Sequence, residues 1–164
     1  MLVDRGGVFE YLPSLPFLLS DRKSPKDVSC SLRPFAEKHG ARLLVDEVVE
    51  VDPEALTVKL RGEGTLDYDY LVLAPGGDVE YFGVKGREHS MPAYRLDDYL
   101  RIRERLRELR GRVIVVGGGL TGVEVAGELA EKLGPGRVTL VEKMELLLPL
   151  LRSPEASNAV EKLL

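Results

Sequence analysis

The run Arg112-Val-Ile-Val-Val-Gly117-Gly118-Gly119-Leu120-Thr121-Gly122-Val123-Glu124 decides the fold. Val113-Ile-Val-Val116 is entirely β-branched and reads as a buried strand. Leu120 to Leu133 reads as an amphipathic helix, stopped by Gly134-Pro135-Gly136. Between them, Gly117, Gly119 and Gly122 match G-x-G-x-x-G. Gly117 permits the tight turn out of the strand, Gly119 lets a pyrophosphate approach the backbone, and Gly122 lets the helix pack close to the strand. A second strand, Val138-Thr-Leu-Val141, ends in Glu142, about 20 residues past the last glycine, where a carboxylate meets adenosine ribose hydroxyls. Such an acid accepts from a 2′-hydroxyl and repels a 2′-phosphate, so the unit is expected to favour NAD(H) over NADP(H), with Lys143 softening the repulsion. The expected cofactor contacts are Gly117, Gly118, Gly119, Leu120, Thr121, Gly122, Glu142 and Lys143. The plainer alternatives are a strand–turn–helix–strand unit that holds no nucleotide, and a Glu142 that is only a surface acid.

Working outward, Leu96 to Leu109 predicts a helix whose Arg and Glu residues make a solvated face of local ion pairs. Tyr70-Leu-Val-Leu-Ala74 is continuously apolar, as a strand buried on both faces would be, and Pro75-Gly76-Gly77 ends it. Arg42 to Val51 and Ala55 to Leu60 flank Asp52-Pro53-Glu54 and predict a hairpin. Leu32 to Lys38 predicts a helix stopped by Gly40. Gly6 to Lys26 reads as a long loop carrying Phe9, Tyr11, Phe17 and Leu18, and Met1 to Asp4 as a short strand. Ser153 or Pro154 opens a last helix that runs to Leu164. The boundary falls between Gly76 and Gly83, giving domains over residues 1–78 and 79–164.

The 164 residues carry a formal net charge of −4, so no basic excess points to nucleic acid. Cys30 stands alone and is expected to be a structural thiol, which leaves no disulfide, CxxC pair or cysteine-based zinc site. His39 and His89 have no ligand-like spacing, so no metal site is expected. No 18-residue apolar run spans a membrane, and the opening residues are no signal peptide, which points to a cytoplasmic protein. Glutamine is absent and Asn158 is the sole asparagine, a depletion that fits a thermophile.

Leu2-Val3-Asp4-Arg5 echoes Leu140-Val141-Glu142-Lys143: a short apolar strand, an acid, then a base. If Asp4 plays the role of Glu142, a second dinucleotide fold opens the chain, and its glycine loop would lie about 20 residues before Asp4. The sequence therefore reads as cut at both ends. The echo, Phe9-Glu-Tyr11-Leu-Pro13-Ser14-Leu15-Pro16, Asp67-Tyr-Asp-Tyr70-Leu-Val-Leu-Ala74-Pro75-Gly76, Tyr81-Phe82-Gly83-Val84-Lys85-Gly86 and the Gly117 to Glu124 run together resemble the pyridine nucleotide–disulfide oxidoreductase superfamily. Within it the chain is most similar to the type II NADH dehydrogenase and sulfide:quinone oxidoreductase branch. The resemblance implies an α/β fold: a Rossmann-like NAD(H)-binding βαβ unit plus an incomplete FAD-binding-like segment with a β-hairpin. It implies that Asp4 meets the adenosine ribose of FAD, that Val48 or Val49 meets the adenine through its backbone, and that Ala74-Pro75-Gly76 lies beside FAD, with Pro75 where the family has Thr. Glu124 would lie near the nicotinamide–flavin contact, or would simply be an acid favourable to its helix dipole. The lone cysteine departs from the glutathione-reductase branch and from sulfide oxidation.

Two functions follow as expectations. One is hydride transfer from NADH to FAD and on to a quinone-like acceptor, with related enzymes lying on the inner face of the membrane through segments not found here. The other is an inactive nucleotide-binding fragment or split-gene subunit that forms a homo-oligomer or needs a complementing chain.

Overall fold

A computed structural model describes residues 1–62 and 64–163. In chain order the elements are β1 (Leu2–Asp4), β2 (Val8–Glu10), a 3₁₀ helix (Leu12–Leu18), α1 (Pro25–Val28), β3 (Ser29–Ser31), α2 (Arg33–Lys38), β4 (Leu43–Val45), β5 (Val48–Asp52), β6 (Thr57–Leu60) and β7 (Thr65–Asp67). After a long connection come α3 (Leu96–Arg107), β8 (Val113–Val116), α4 (Leu120–Leu133), β9 (Val138–Val141) and α5 (Pro154–Glu161). Leu164, the expected end of the last helix, lies outside the described residues. The chain is α/β and divides into two compact units, Met1–Glu10 with Ser29–Asp78, and Tyr11–Val28 with Val79–Leu164.

In the first unit β1 pairs in parallel with β4, and β2 pairs antiparallel with β3. The predicted hairpin is β5–β6, extended by β7 into a three-stranded antiparallel sheet. Its turn is built by Asp52, whose Oδ1 accepts from the N–H groups of Glu54 and Ala55, both at 2.9 Å. Val58 and Leu60 are buried on one face of β6, as period-two alternation requires. The expected strand through Ala74 is corrected: β7 stops at Asp67, and Tyr70 and Val72 are 95% and 88% exposed. A doubly buried strand needs ladder partners for its amides and carbonyls, and this run has none among the described residues.

In the second unit β8 and β9 pair in parallel from Val113↔Val138 to Val116↔Val141, with α4 as the crossover. The strand β8, expected to be buried, is covered on one face only. Val113 and Val115 pack against the core, while Ile114 and Val116 are 65% and 71% exposed. The core joins Tyr99 of α3 and Val125 and Leu129 of α4 to Leu15, Leu18, Leu19 and Val28.

Those last four residues give the expected loop over Gly6–Lys26 a packed core, and they group with the second unit although they fall inside the expected 1–78 domain. Residues 11–28 belong with the second unit because three fully buried leucines seat them there. Pro13 and Pro16 explain the local form. Both carry the φ of a tight helix, and Pro16, inside it, lacks the N–H that an α-helix would use, so the turn closes through i→i+3 bonds such as Leu19 N–H to the Pro16 carbonyl at 2.9 Å. Polar contacts fasten its far end: the Ser20 hydroxyl and the Arg22 guanidinium donate to the buried Glu128 of α4. Asp21 pairs with Lys132 of α4 and with Arg103 of α3 at 2.5 Å. Lys132, then Arg103, hold its carboxyl below the usual carboxylate range against the opposing effect of burial. No helix among the described residues is long and apolar enough to cross a membrane.

Leu18→Ala should cost about 2–5 kcal/mol of unfolding free energy through lost burial and a cavity. Leu12→Ala, at a more exposed position of the same turn, should stay within about 0.5 kcal/mol. Urea melts followed by circular dichroism compare the two.

Candidate dinucleotide site

The turn from β8 into α4 separates the three motif glycines by what each does. Gly117 has φ +108°, closed to other residues without strain. Its N–H donates to the Val141 carbonyl at 2.8 Å, so the turn begins only after the β8–β9 ladder is complete. A Cβ on Gly122 would lie 1.7 Å from the Gly117 carbonyl oxygen, which permits no side chain at all. Gly119 has an ordinary φ of −73°, and a Cβ there would meet nothing within 4 Å. Backbone conformation at 117 and packing at 122 therefore require glycine, while Gly119 is left open to the outside.

Gly119 is the N-cap of α4 and has no side chain to offer the first-turn amides. Its carbonyl accepts the first helical bond, from Val123 N–H at 3.0 Å. Leu120 and Thr121 are exposed. The result is an uncovered helix N-terminus beside a glycine that leaves room for a close approach, an arrangement that accepts a phosphate or pyrophosphate group.

Glu142 follows β9 directly and turns its carboxylate onto the same loop. Oε2 accepts from Gly118 N–H at 2.6 Å, and Oε1 accepts from Lys143 and Met144 N–H at 2.7 and 2.9 Å. The amides of Met144, then Gly118 and more weakly Lys143, hold its carboxyl below the usual range, with burial opposing. A carboxylate has about four acceptor sites, so three backbone donors leave room for one ribose hydroxyl. The Lys143 side chain beside it is exposed.

Gly118 is buried where its neighbours in the motif are open. A Cβ on it would lie 2.7 Å from Leu147 Cδ2 and 2.9 Å from Glu142 Cβ. Its carbonyl accepts from Leu148 N–H at 2.7 Å. Leu147 N–H in turn donates to Ser157 Oγ of α5 at 2.9 Å. Leu148 and Arg152 bracket this corner at φ +52° and +49°, a left-handed conformation costing about 1–2 kcal/mol each. Sequence reading missed Leu147, Leu148 and Ser157. The available signal was the Leu146-Leu147-Leu148-Pro149 run directly after the acid, too apolar for a free loop.

Glu124 lies on the exposed side of α4. Burial pushes the Tyr99 hydroxyl above its usual range, with the charges of Glu124 and Asp98 adding to it. That hydroxyl donates to the Ala93 carbonyl at 3.2 Å. The remaining predicted residues lie in the first unit. Asp4 Oδ1 accepts from Gly6 and Gly7 N–H at 2.9 and 2.6 Å, the same grip on the following backbone that Glu142 exerts. Val48 pairs with Leu60, and the register slips before Glu50, so Val49 is the bulged residue of β5. Ala74, Pro75 and Gly76 are exposed, with Gly76 at φ +74°. Cys30 is exposed on β3. Among the described residues no group of three or more His, Cys, Asp and Glu could hold a metal.

The family model for pyridine nucleotide-disulphide oxidoreductase matches residues 2–164. The demethylphylloquinone reductase NdbB of Synechocystis is 27% identical over 94% of this chain and 41% of its own length. A nitric oxide reductase FlRd-NAD(+) reductase of Escherichia coli is 32% identical over 91% and 39%. The NDH2 structure from Plasmodium falciparum in complex with NADH superposes with a TM-score of 0.85 at 25% identity, covering 98% of this chain and 40% of that one. The chain thus spans about two fifths of the relatives it matches.

Gly122→Ala should destabilise the second unit by about 3 kcal/mol or more, since backbone must move. Gly119→Ala should cost no more than about 1 kcal/mol, the usual penalty of alanine at an N-cap. Thermal melts of both variants make the comparison. For Glu142 the folded-state pKa lies below the unfolded value of about 4.3, so its contribution to stability is present above that pH and is lost as pH falls through the folded pKa. Glu142→Gln should therefore show a shallower loss of stability below about pH 4.3 than the parent chain, measured by urea midpoints across pH 3 to 6.

Proposed function

We propose, because the chain belongs to the pyridine nucleotide-disulphide oxidoreductase family, that it carries the NADH-binding part of a flavin-dependent oxidoreductase. The observation that carries this reading is the open Gly119 at the start of α4, between two glycines that the fold itself requires. The residues present fit a dinucleotide. The first-turn amides at Leu120, Thr121 and Gly122 would hold the pyrophosphate, and Gly119 gives it room. Glu142, fixed by its three backbone donors, would accept from the ribose 2′-hydroxyl and repel a 2′-phosphate, which favours NADH over NADPH.

On the first unit, Asp4, the bulged backbone at Val48–Val49 and the Ala74-Pro75-Gly76 turn are the residues that would hold FAD. When bound, these cofactors supply the redox chemistry, hydride passing from the nicotinamide to the flavin and electrons from there to an acceptor. The chain's own residues bind, orient and shield. Glu124, on the exposed side of α4, would stand near the point where the two rings meet. A quinone-like acceptor fits the likeness to demethylphylloquinone reductase, while the relative named for FlRd marks the competing class of acceptor. The composition fits a thermophilic source, and the protein would work in the cytoplasm, peripheral at the inner face of the membrane.

A second reading is that the chain works only with a complementing chain or a second copy. It is favoured by the exposure of Tyr70 and Val72 on the first unit and of Ile114 and Val116 on the second, large apolar side chains that a partner surface would cover.

NADH added to the purified chain should give a saturable fluorescence change, and NADPH should bind about tenfold more weakly or worse. Gly119→Val should abolish the NADH signal while the chain still melts cooperatively, and Glu142→Ala should narrow the NADH–NADPH gap. A Gly119→Val chain that titrates like the parent would sink the proposal. An absorption spectrum of the same preparation reports whether flavin is carried.

A further inference from the structure

The corner between β9 and α5 is built onto the glycine loop rather than beside it. Ser157 is fully buried, and its Oγ accepts from Leu147 N–H at 2.9 Å while donating to Glu161 Oε1 at 3.1 Å. With its proton directed to Glu161, the hydroxyl has its lone pairs turned to Leu147. Leu147 then lies over Gly118, where its Cδ2 and the Cβ of Glu142 fill the space that any side chain at 118 would need. Leu148 closes the corner by donating to the Gly118 carbonyl at 2.7 Å. The Gly118 N–H, on the other side of the same residue, donates to Glu142 Oε2 at 2.6 Å. Each link shares an atom group or a residue with the next, and all lie in the second unit.

We infer that Ser157 is a positioning residue for the dinucleotide loop: through Leu147 and Leu148 it fixes Gly118, and through Gly118 it fixes the direction of the Glu142 carboxylate. What the clamp serves rests on the nucleotide-binding reading above. On that reading, helix α5, which offers no group to the nucleotide, sets both the affinity for NADH and the preference over NADPH. Loosening the corner lets the Gly118 peptide rotate and frees Glu142 from one of its three donors. The carboxylate then samples positions that no longer meet the ribose hydroxyl or oppose a 2′-phosphate.

The test uses the full chain, with hydrogen exchange and nucleotide titration on the same samples. In Ser157→Ala the amides of Gly118 and Leu148 should exchange about tenfold faster, while Val113 N–H, bonded to the Arg137 carbonyl at the far end of β8, keeps its rate. Leu147→Ala leaves α5 and its serine intact and serves where Ser157→Ala fails to fold. It should speed Gly118 exchange by a similar factor. In the titration, Ser157→Ala should raise the Kd for NADH about threefold to tenfold and shrink the NADPH-to-NADH Kd ratio by a like factor. Parent-like exchange at Gly118 and Leu148 in both variants would overturn the clamp. Faster exchange with an unchanged Kd ratio would overturn its role in specificity. If the parent chain binds no NADH, the nucleotide reading falls, and the exchange rates still decide whether Ser157 holds the loop.

Discussion

The contact on which the second unit depends is the approach of helix α4 to the end of strand β8, where Gly122 leaves no room for a carbon atom beside the Gly117 carbonyl. That approach is possible only because the strand turns at once, through a positive φ at Gly117. It sets the helix axis so that the first-turn amides emerge at the strand ends. It also brings Val125 and Leu129 down onto the apolar face of β8 and β9 and the leucines of segment 11–28. Packing, turn and candidate anion site are thus one constraint seen at three distances from the same pair of glycines.

The acids that follow the two short parallel strands make a second regularity. Asp4 and Glu142 each stand at the C-terminal end of a strand and accept backbone N–H groups from the residues just after it. Glu142 reaches one step further, to Gly118 across the loop. A carboxylate so held keeps one orientation, which recognition of a sugar hydroxyl needs. The two units differ in what surrounds that acid. In the second, a core of leucines and a tyrosine backs the site. In the first, burial is confined to a few positions such as Ala36, Val58 and Leu60, and the apolar run at Tyr70–Leu73 lies largely in the open.

Much of this was legible from residues alone because it is governed by local rules. The strand–glycine–helix–strand order, the turn at Asp52-Pro53-Glu54, the stop at Gly40 and the cap at Ser153 each depend on a few neighbouring side chains, and each appears in the structure. What the sequence did not disclose depends on distant partners. Leu15 and Leu18 carry no signal that distinguishes a loop leucine from a core leucine, since their partners Val125 and Leu129 are more than a hundred positions away. Tyr70-Leu-Val-Leu-Ala74 has the composition of a central strand, but a strand also needs an unpaired neighbour beside it, and composition says nothing of that. At the site, the glycines and Glu142 were readable from spacing. Leu147, Leu148 and Ser157 were not, because their role lies in a corner whose backbone adopts left-handed conformations at Leu148 and Arg152, which ordinary propensities disfavour.

The seating of residues 11–28 on α3 and α4 has a consequence for the order in which the molecule can form. As the chain leaves the ribosome, Leu15, Leu18 and Leu19 emerge long before Tyr99, Val125 and Leu129, and the whole stretch 29–78 is made in between. Closing so long a loop adds entropy cost only slowly with length, but it delays collapse until the late helices exist. For that interval the nascent protein displays three leucines with no partner, a state that invites chaperones or self-association. That exposure outlasts the synthesis of the dinucleotide loop, because Val125 and Leu129 of α4 are made after it.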